Sequence, residues 1–265
     1  MKRILTLSVL AAFALVLSNC AKNDPASLIP AAAEQGLSQD IKAKITALGF
    51  HADEAFATEG GYIVEGDIFL TDEDLKTVNP VQSLITGNVE QYHTTALVTG
   101  LPRTITVRYS GTSTAISNAV DAAIARYNAE NLQVSFSRVT SGGNIVISTV
   151  NGGNYIASAG FPSNGNPYSG IKFNMQYAGW NANTLASIFA HEMGHCIGFR
   201  HTDYMDRSYS CGGAYTNEGA AGVGAIHIPG TPTAADPGSW MLACIGNGVN
   251  RAFNNNDKTA LNYLY

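Results

Sequence analysis

Residues 185–203 read LASIFAHEMGHCIGFRHTD, and within them His191, Glu192, His195, Gly198 and His201 fall in the spacing H-E-x-x-H-x-x-G-x-x-H. Two histidines four apart on a helix stand on one face, about 6 Å apart along the axis, so their imidazoles can converge on one small cation. Glu192, one step round the helix, can reach a water beside that cation. Gly198 tolerates the left-handed conformation that ends a helix and reverses the chain. His201 can then swing back as a third ligand. Three neutral imidazoles leave zinc an open fourth position, the arrangement of a catalytic rather than a structural site. A bare H-E-x-x-H recurs by chance in unrelated proteins; the glycine and third histidine at fixed offsets make this one specific. Three of the chain's six histidines lie in these eleven residues, a concentration that core packing does not explain.

Outward from this stretch, the preceding hundred residues carry alternating and helical patterns. Ile105, Val107 and Tyr109 alternate as a strand, and Ile116, Val120, Ala123, Ile124 and Tyr127 mark an amphipathic helix. Leu132, Val134 and Phe136 alternate again, residues 145–150 are a β-branched run, and Ile171, Phe173 and Met175 form a short strand. The histidine helix is expected to open near Asn183-Thr184, whose side chains can cap it. The order strand, helix, three strands, helix implies an α+β fold, a twisted mixed sheet with helices packed on one side.

The N-terminal portion differs. Lys2 and Arg3 precede an apolar run over residues 4–17, too short to span a bilayer comfortably, as in a signal peptide. Leu17-Ser18-Asn19-Cys20 resembles the lipobox of bacterial lipoproteins, with Asn19 in place of the usual small residue, so Cys20 is the expected lipidation site. These features imply export from a bacterial cell: a lipoprotein of the outer membrane or cell surface, otherwise a periplasmic or secreted protein. Residues 21–36 look like a tether. Ser38 can cap a short helix carrying Ile41, Ile45 and Leu48, and residues 62–70 read as a strand interrupted at Glu65-Gly66-Asp67. Little apolar pattern belongs to this portion, which reads as an appendage. The expected divisions are residues 1–20, 21–100 and 101–265.

Composition narrows the partners. The formal charge of −5 disfavours nucleic acid, and a membrane would be met only through the lipid anchor. Beyond Cys20 the cysteines are Cys196, Cys211 and Cys244. Cys196 sits in the histidine helix, where a buried thiol fits, which leaves Cys211 with Cys244 as the pair. Calcium sites cannot be read from the sequence, and a monomer is expected.

The histidine motif is the signature of the metzincin zinc endopeptidases, and HEMGH is similar to the bacterial dual-action HEIGH-type family among them. The resemblance covers about residues 100–265. It implies a metzincin-like catalytic domain that cuts peptide bonds, with zinc on His191, His195 and His201 and Glu192 as general base. It also implies that Ser239-Trp240-Met241 forms a methionine turn with Met241 beneath the metal, and that residues 257–265 form a closing helix. Residues 159–162 and 170–174 resemble the rim loop and edge strand that hold substrate in that group. Ala243 stands where some metzincins place a tyrosine ligand, so no fifth ligand is expected there. Met205 lies too close to His201 to pass beneath the metal. Residues 64–68, Val-Glu-Gly-Asp-Ile, are similar to an astacin-type propeptide motif in which aspartate coordinates zinc. Asp67 is thus a candidate zymogen latch, with activation cleavage between Asn79 and Arg103, and the N-terminal region would be propeptide-like. The competing readings are an exported zinc-site protein that binds peptide or glycan without hydrolysis, and a surface module whose motif is coincidental.

Overall fold

The structure is a computed structural model that describes residues 36–76, 91–220, 222–232 and 235–265. The export segment, Cys20 and most of the tether lie outside them. Helix α1 (Gln39–Ala47) begins at Ser38, whose hydroxyl accepts from the Ile41 amide at 3.3 Å, and it buries Ile45. Strand β1 (Phe56–Thr58) pairs antiparallel with β2 (Gly61–Val64), and β2 pairs antiparallel with β3 (Ile68–Thr71). Glu65-Gly66-Asp67 is the tip joining β2 to β3, with Glu65 (φ 53°) and Gly66 (φ 88°) left-handed. Thr71 and Asp74 then bond reciprocally, each side chain taking the other's amide at 2.7 and 3.1 Å, and start one 3-10 turn. Ile45, Phe50, Val64, Ile68, Leu70 and Leu75 bury one another. The N-terminal part therefore has a small core of its own. Its apolar residues are scattered among turns and show no period until they meet in the fold.

Strand β4 (Tyr92–His93) precedes β5 (Arg103–Tyr109), which buries Ile105 and Val107 and leaves Thr104 exposed. Helix α2 (Thr114–Asn128) crosses from β5 to β6 (Val134–Arg138), which lies parallel to β5; β7 (Ile145–Val150) lies parallel along the other side of β5. Then come β8 (Ala157–Ala159), β9 (Gly170–Asn174) and helix α3 (Ala182–Ile197). The sheet runs β1-β2-β3-β8-β9-β7-β5-β6. The buried faces of α2 and α3 share one large core with Ile105, Val107, Phe136, Ile147, Ile171 and Phe173. Each such side chain fully buried contributes about 1.5–3 kcal/mol.

Three elements differ from the sequence expectation. Strand β9 is internal, with β7 on one side and β8 on the other. The outer strand of the catalytic part is β8, three small residues without β-branched character, and β3 pairs with it in parallel through Ile68 and Ala159. Helix α3 opens at Asn181, whose side chain accepts from the Asn183 amide at 2.9 Å, because Thr184 instead donates to the Val249 carbonyl at 2.8 Å. Beyond it lie α4 (Ser208–Cys211), β10 (Ile226–His227), paired antiparallel with β4, and α5 (Asn255–Leu264). Asn254 and Asp257 form a capping box at the start of α5. No helix among the described residues is long and apolar enough to cross a membrane.

Candidate metal centre

Helix α3 sets His191 and His195 one turn apart with ring centroids at 4.6 Å. Gly198 ends the helix at φ 110°. A side chain there would also meet the Ala96 carbonyl at 2.7 Å, so glycine is required twice over. The turn brings His201 back: His195 Nε2 lies 2.9 Å from His191 Nε2 and 3.2 Å from His201 Nε2. The Asp67 carboxylate completes the group, 3.3 Å from His191 Nε2 and 3.1 Å from His201 Nε2.

The other ring nitrogens decide what this cluster is for. His191 Nδ1 lies 2.9 Å from the Trp240 carbonyl, His195 Nδ1 2.8 Å from the Phe199 carbonyl, and His201 Nδ1 2.7 Å from Glu218 Oε1. Carbonyls and carboxylates only accept, so each Nδ1 carries a proton and each Nε2 of a neutral ring presents a lone pair. A proton on His201 Nε2 could bridge to Asp67, but the His191 and His195 lone pairs would still face one another. One cation shared by all four groups resolves the arrangement. Three imidazole nitrogens and a carboxylate oxygen, all within 4.8 Å of one another, match the donor set of tetrahedral zinc. Burial pushes the His195 imidazole well below its ordinary pKa, its two histidine neighbours adding to the effect, and keeps it in the ligand form.

The surroundings brace the ligands. At Gly194 a side chain would strike Met241 Sδ at 2.6 Å and Trp240 Nε1 at 3.2 Å, so glycine here lets α3 close on the Trp240-Met241 turn. That turn is buried and accepts the Thr202 amide at the Met241 carbonyl, 2.8 Å away. Glu218 is wholly buried and also meets Arg200 at 3.4 Å and Arg207 at 3.3 Å. Glu192 is 2% exposed, and its Oε2 has no protein partner. Burial pushes its carboxyl well above the usual carboxylate range, and the Asp67 carboxylate adds to this. Glu192, His191 and Asp67 border a cavity of about 220 Å³ that runs past Tyr155, Ile188 and Leu242 towards Arg251.

Thus His191, Glu192, His195, His201, Met241 and Asp67 lie together, although Asp67 is remote in sequence. Cys211 and Cys244 form a disulfide that ties α4 to the chain after the methionine turn, and Cys196 is free and buried. Met205 packs with Tyr92 and Tyr204, away from the metal cluster. His227 sits in β10 with Nε2 3.0 Å from Thr231 Oγ1. Sequence reasoning missed Glu218, Arg200 and Gln91. Gln91 Nε2 donates to Ser239 and Asp257 at 3.0 and 2.5 Å, tying the chain before β4 to the methionine turn and α5.

A helix bearing two histidines, a glycine turn returning a third and the Asp67 carboxylate beside them form a cluster that could hold a metal ion. Residues 62–265 match the dual-action HEIGH metallo-peptidase family, and the chain belongs to it. The matched span includes the β2–β3 hairpin. Two solved structures of myroilysin are similar at 16% identity: one covers 64% of this chain and 82% of its own with a TM-score of 0.43, the other 62% and 83% with 0.41. No curated protein matches the chain.

Proposed function

We propose that this metallopeptidase is an exported, zinc-dependent endopeptidase made as a self-inhibited precursor. The observation that carries the reading is the convergence of three Nε2 lone pairs beside the unpartnered carboxylate oxygen of Glu192. His191, His195 and His201 would hold zinc, which would supply Lewis-acid polarisation of the scissile carbonyl and make the attacking water more acidic. Glu192 accepts the proton from that water and passes it to the leaving amine. The protonated Nδ1 atoms hold the three imidazoles in the ligand tautomer. Asp67 would serve as a fourth ligand in the precursor and so block the site, while β3 covers the edge of β8, where an extended substrate would add as a strand. Gln91 and Tyr92 are buried against the catalytic part. Within the expected span from Asn79 to Arg103, activation cleavage on the N-terminal side of Gln91 leaves those contacts intact.

Export is supported by Lys2, Arg3 and the apolar run that follows, and by a disulfide of the kind oxidising compartments permit. Lipidation of Cys20 would anchor the enzyme, so Cys20→Ser should move it from the membrane to the soluble fraction; unchanged fractionation would sink the anchor. For the chemistry the test is Glu192→Gln in the activated enzyme. It should retain zinc while casein hydrolysis falls by about 10²–10⁴. Near-normal turnover would remove Glu192 from the mechanism, and wild-type enzyme that binds zinc without cutting casein would favour a binding role.

A further inference from the structure

Glu65 and Arg200 form an ion pair that excludes solvent entirely: Oε2 to Nη2 is 3.0 Å, and both side chains are 0% exposed. Such pairs carry a large desolvation cost, and removing one partner leaves a buried charge alone. Glu65 reaches its position from a left-handed backbone at φ 53°, uncommon for a residue with a β-carbon. Arg200 is fixed largely by the catalytic part. Its amide donates to the Tyr92 carbonyl at 2.9 Å, its Nη1 to the Gly224 carbonyl at 3.4 Å and its Nη2 to Glu218 at 3.4 Å. The guanidinium also lies 5.6 Å from the Tyr204 ring centroid, and its Nε has no protein partner.

Glu65 stands two residues from Asp67, whose carboxylate lies on the imidazole cluster. The hairpin tip thus places one acidic side chain at the imidazole cluster and a second against the buried Arg200 guanidinium. In the full chain the two guanidinium groups of Arg200 and Arg207 face Glu65 and Glu218, with Glu54 on the exposed side of Arg207. Loss of the residues before Gln91 takes away Glu54, Glu65 and Asp67. Both guanidinium groups then face Glu218 alone among these carboxylates, two positive charges against one negative.

We propose that Arg200 forms a substrate pocket selecting a carboxylate side chain within two residues of the scissile bond, and that Glu65 is the resident stand-in for that side chain in the precursor. This inference rests on the self-inhibited endopeptidase reading above. A site built around a buried charge rejects the neutral isostere, because the charge is then left unpaired.

The test uses full-length chain, loaded with zinc and activated by limited proteolysis. Quenched fluorescent peptides are compared in pairs that carry Glu or Gln at each of the two positions on either side of the cleaved bond. At one position the Glu peptide is expected to lead in kcat/KM by about tenfold or more, and Arg200→Gln should bring that ratio towards one. Equal rates at every position overturn the pocket while leaving the peptidase reading intact. A Glu preference that persists undiminished in folded Arg200→Gln places the selectivity elsewhere and also overturns it. Should Arg200→Gln fail to fold, the wild-type ratios decide alone. Failure to cut any peptide or casein overturns the peptidase reading, and the pocket with it.

Discussion

The two main hydrophobic cores of the chain are joined to each other differently from the way each is joined to itself. The large core draws on no residue before Val98 and binds β5 to β9, α2, α3 and α5 into one body. The small core gathers Ile45, Phe50, Val64, Ile68, Leu70 and Leu75, and the catalytic part touches it through Phe161 and Val223, both only partly buried. Between the parts, apolar contact centres on Ile63 and Phe69 against Tyr155. Further links include the stacked Phe50 and Phe161 rings, the Ile68–Ala159 strand pair, Lys172 Nζ donating to the Glu59 carbonyl at 2.9 Å, the Val223 amide donating to the Leu48 carbonyl at 3.2 Å, two ion pairs to Arg200 and Arg207, and Asp67 on the imidazoles. Apolar burial therefore holds each part to itself, while a smaller apolar contact and a set of polar contacts hold one to the other. No buried residue of the large core comes from the appendage.

The largest expected effect that could break this comparison comes from Ile45→Ala. Ile45 is fully buried, and truncation should cost the N-terminal part about 2–5 kcal/mol. Hydrogen exchange should speed up in α1, β2 and β3 while β5 and β7 stay protected. Equal loss of protection throughout would show that the two parts unfold as one. Asp67→Ala sharpens the comparison at the contact between the parts. Removal of one charged contact should raise the activity of the uncleaved precursor by about ten- to a hundredfold, read on a small peptide. If both uncleaved precursors are equally silent, Asp67 is no latch.

What could be read from the sequence follows the range over which each feature is determined. His191, His195 and Gly198 answer to helix geometry within two turns, and Ile105 and Val107 to the two-residue period of a strand. Such local constraints leave a visible spacing. Strand β8 leaves none, because Ala157-Ser158-Ala159 has no β-forming character and is a strand only through its neighbours β9 and β3. The cap of α3 lies at Asn181, two residues before Asn183-Thr184, because the Thr184 hydroxyl is claimed by the distant Val249 carbonyl. The hairpin tip was visible as Glu-Gly-Asp, but nothing local distinguishes a solvent-facing turn from one inserted into a cleft. Only its pairing with Arg200 and the imidazoles does so. Glu218 was invisible for the same reason: it stands seventeen residues past His201 in a loop without a motif, and tertiary contact alone gives it a role.

Glu218 therefore supplies the last expected effect, one specific to the catalytic part. Its Oε1 takes the His201 Nδ1 proton at 2.7 Å, which fixes both the ring's orientation and its tautomer. Without that acceptor the ring can turn or carry its proton on Nε2, and the third ligand is lost for part of the time. Glu218→Ala should weaken zinc binding about ten- to a hundredfold, measured by competition with a chelator of known affinity. Simple destabilisation is a rival cause, because Arg200 and Arg207 also lose their shared carboxylate. Glu218→Gln separates the two. Its amide oxygen can still accept from His201 Nδ1 but brings no negative charge to the arginines, so zinc affinity should recover much further than thermal stability. Zinc bound as tightly by Glu218→Ala as by wild type would reduce Glu218 to a partner of the arginines. Recovery of affinity and stability in step in Glu218→Gln would do the same.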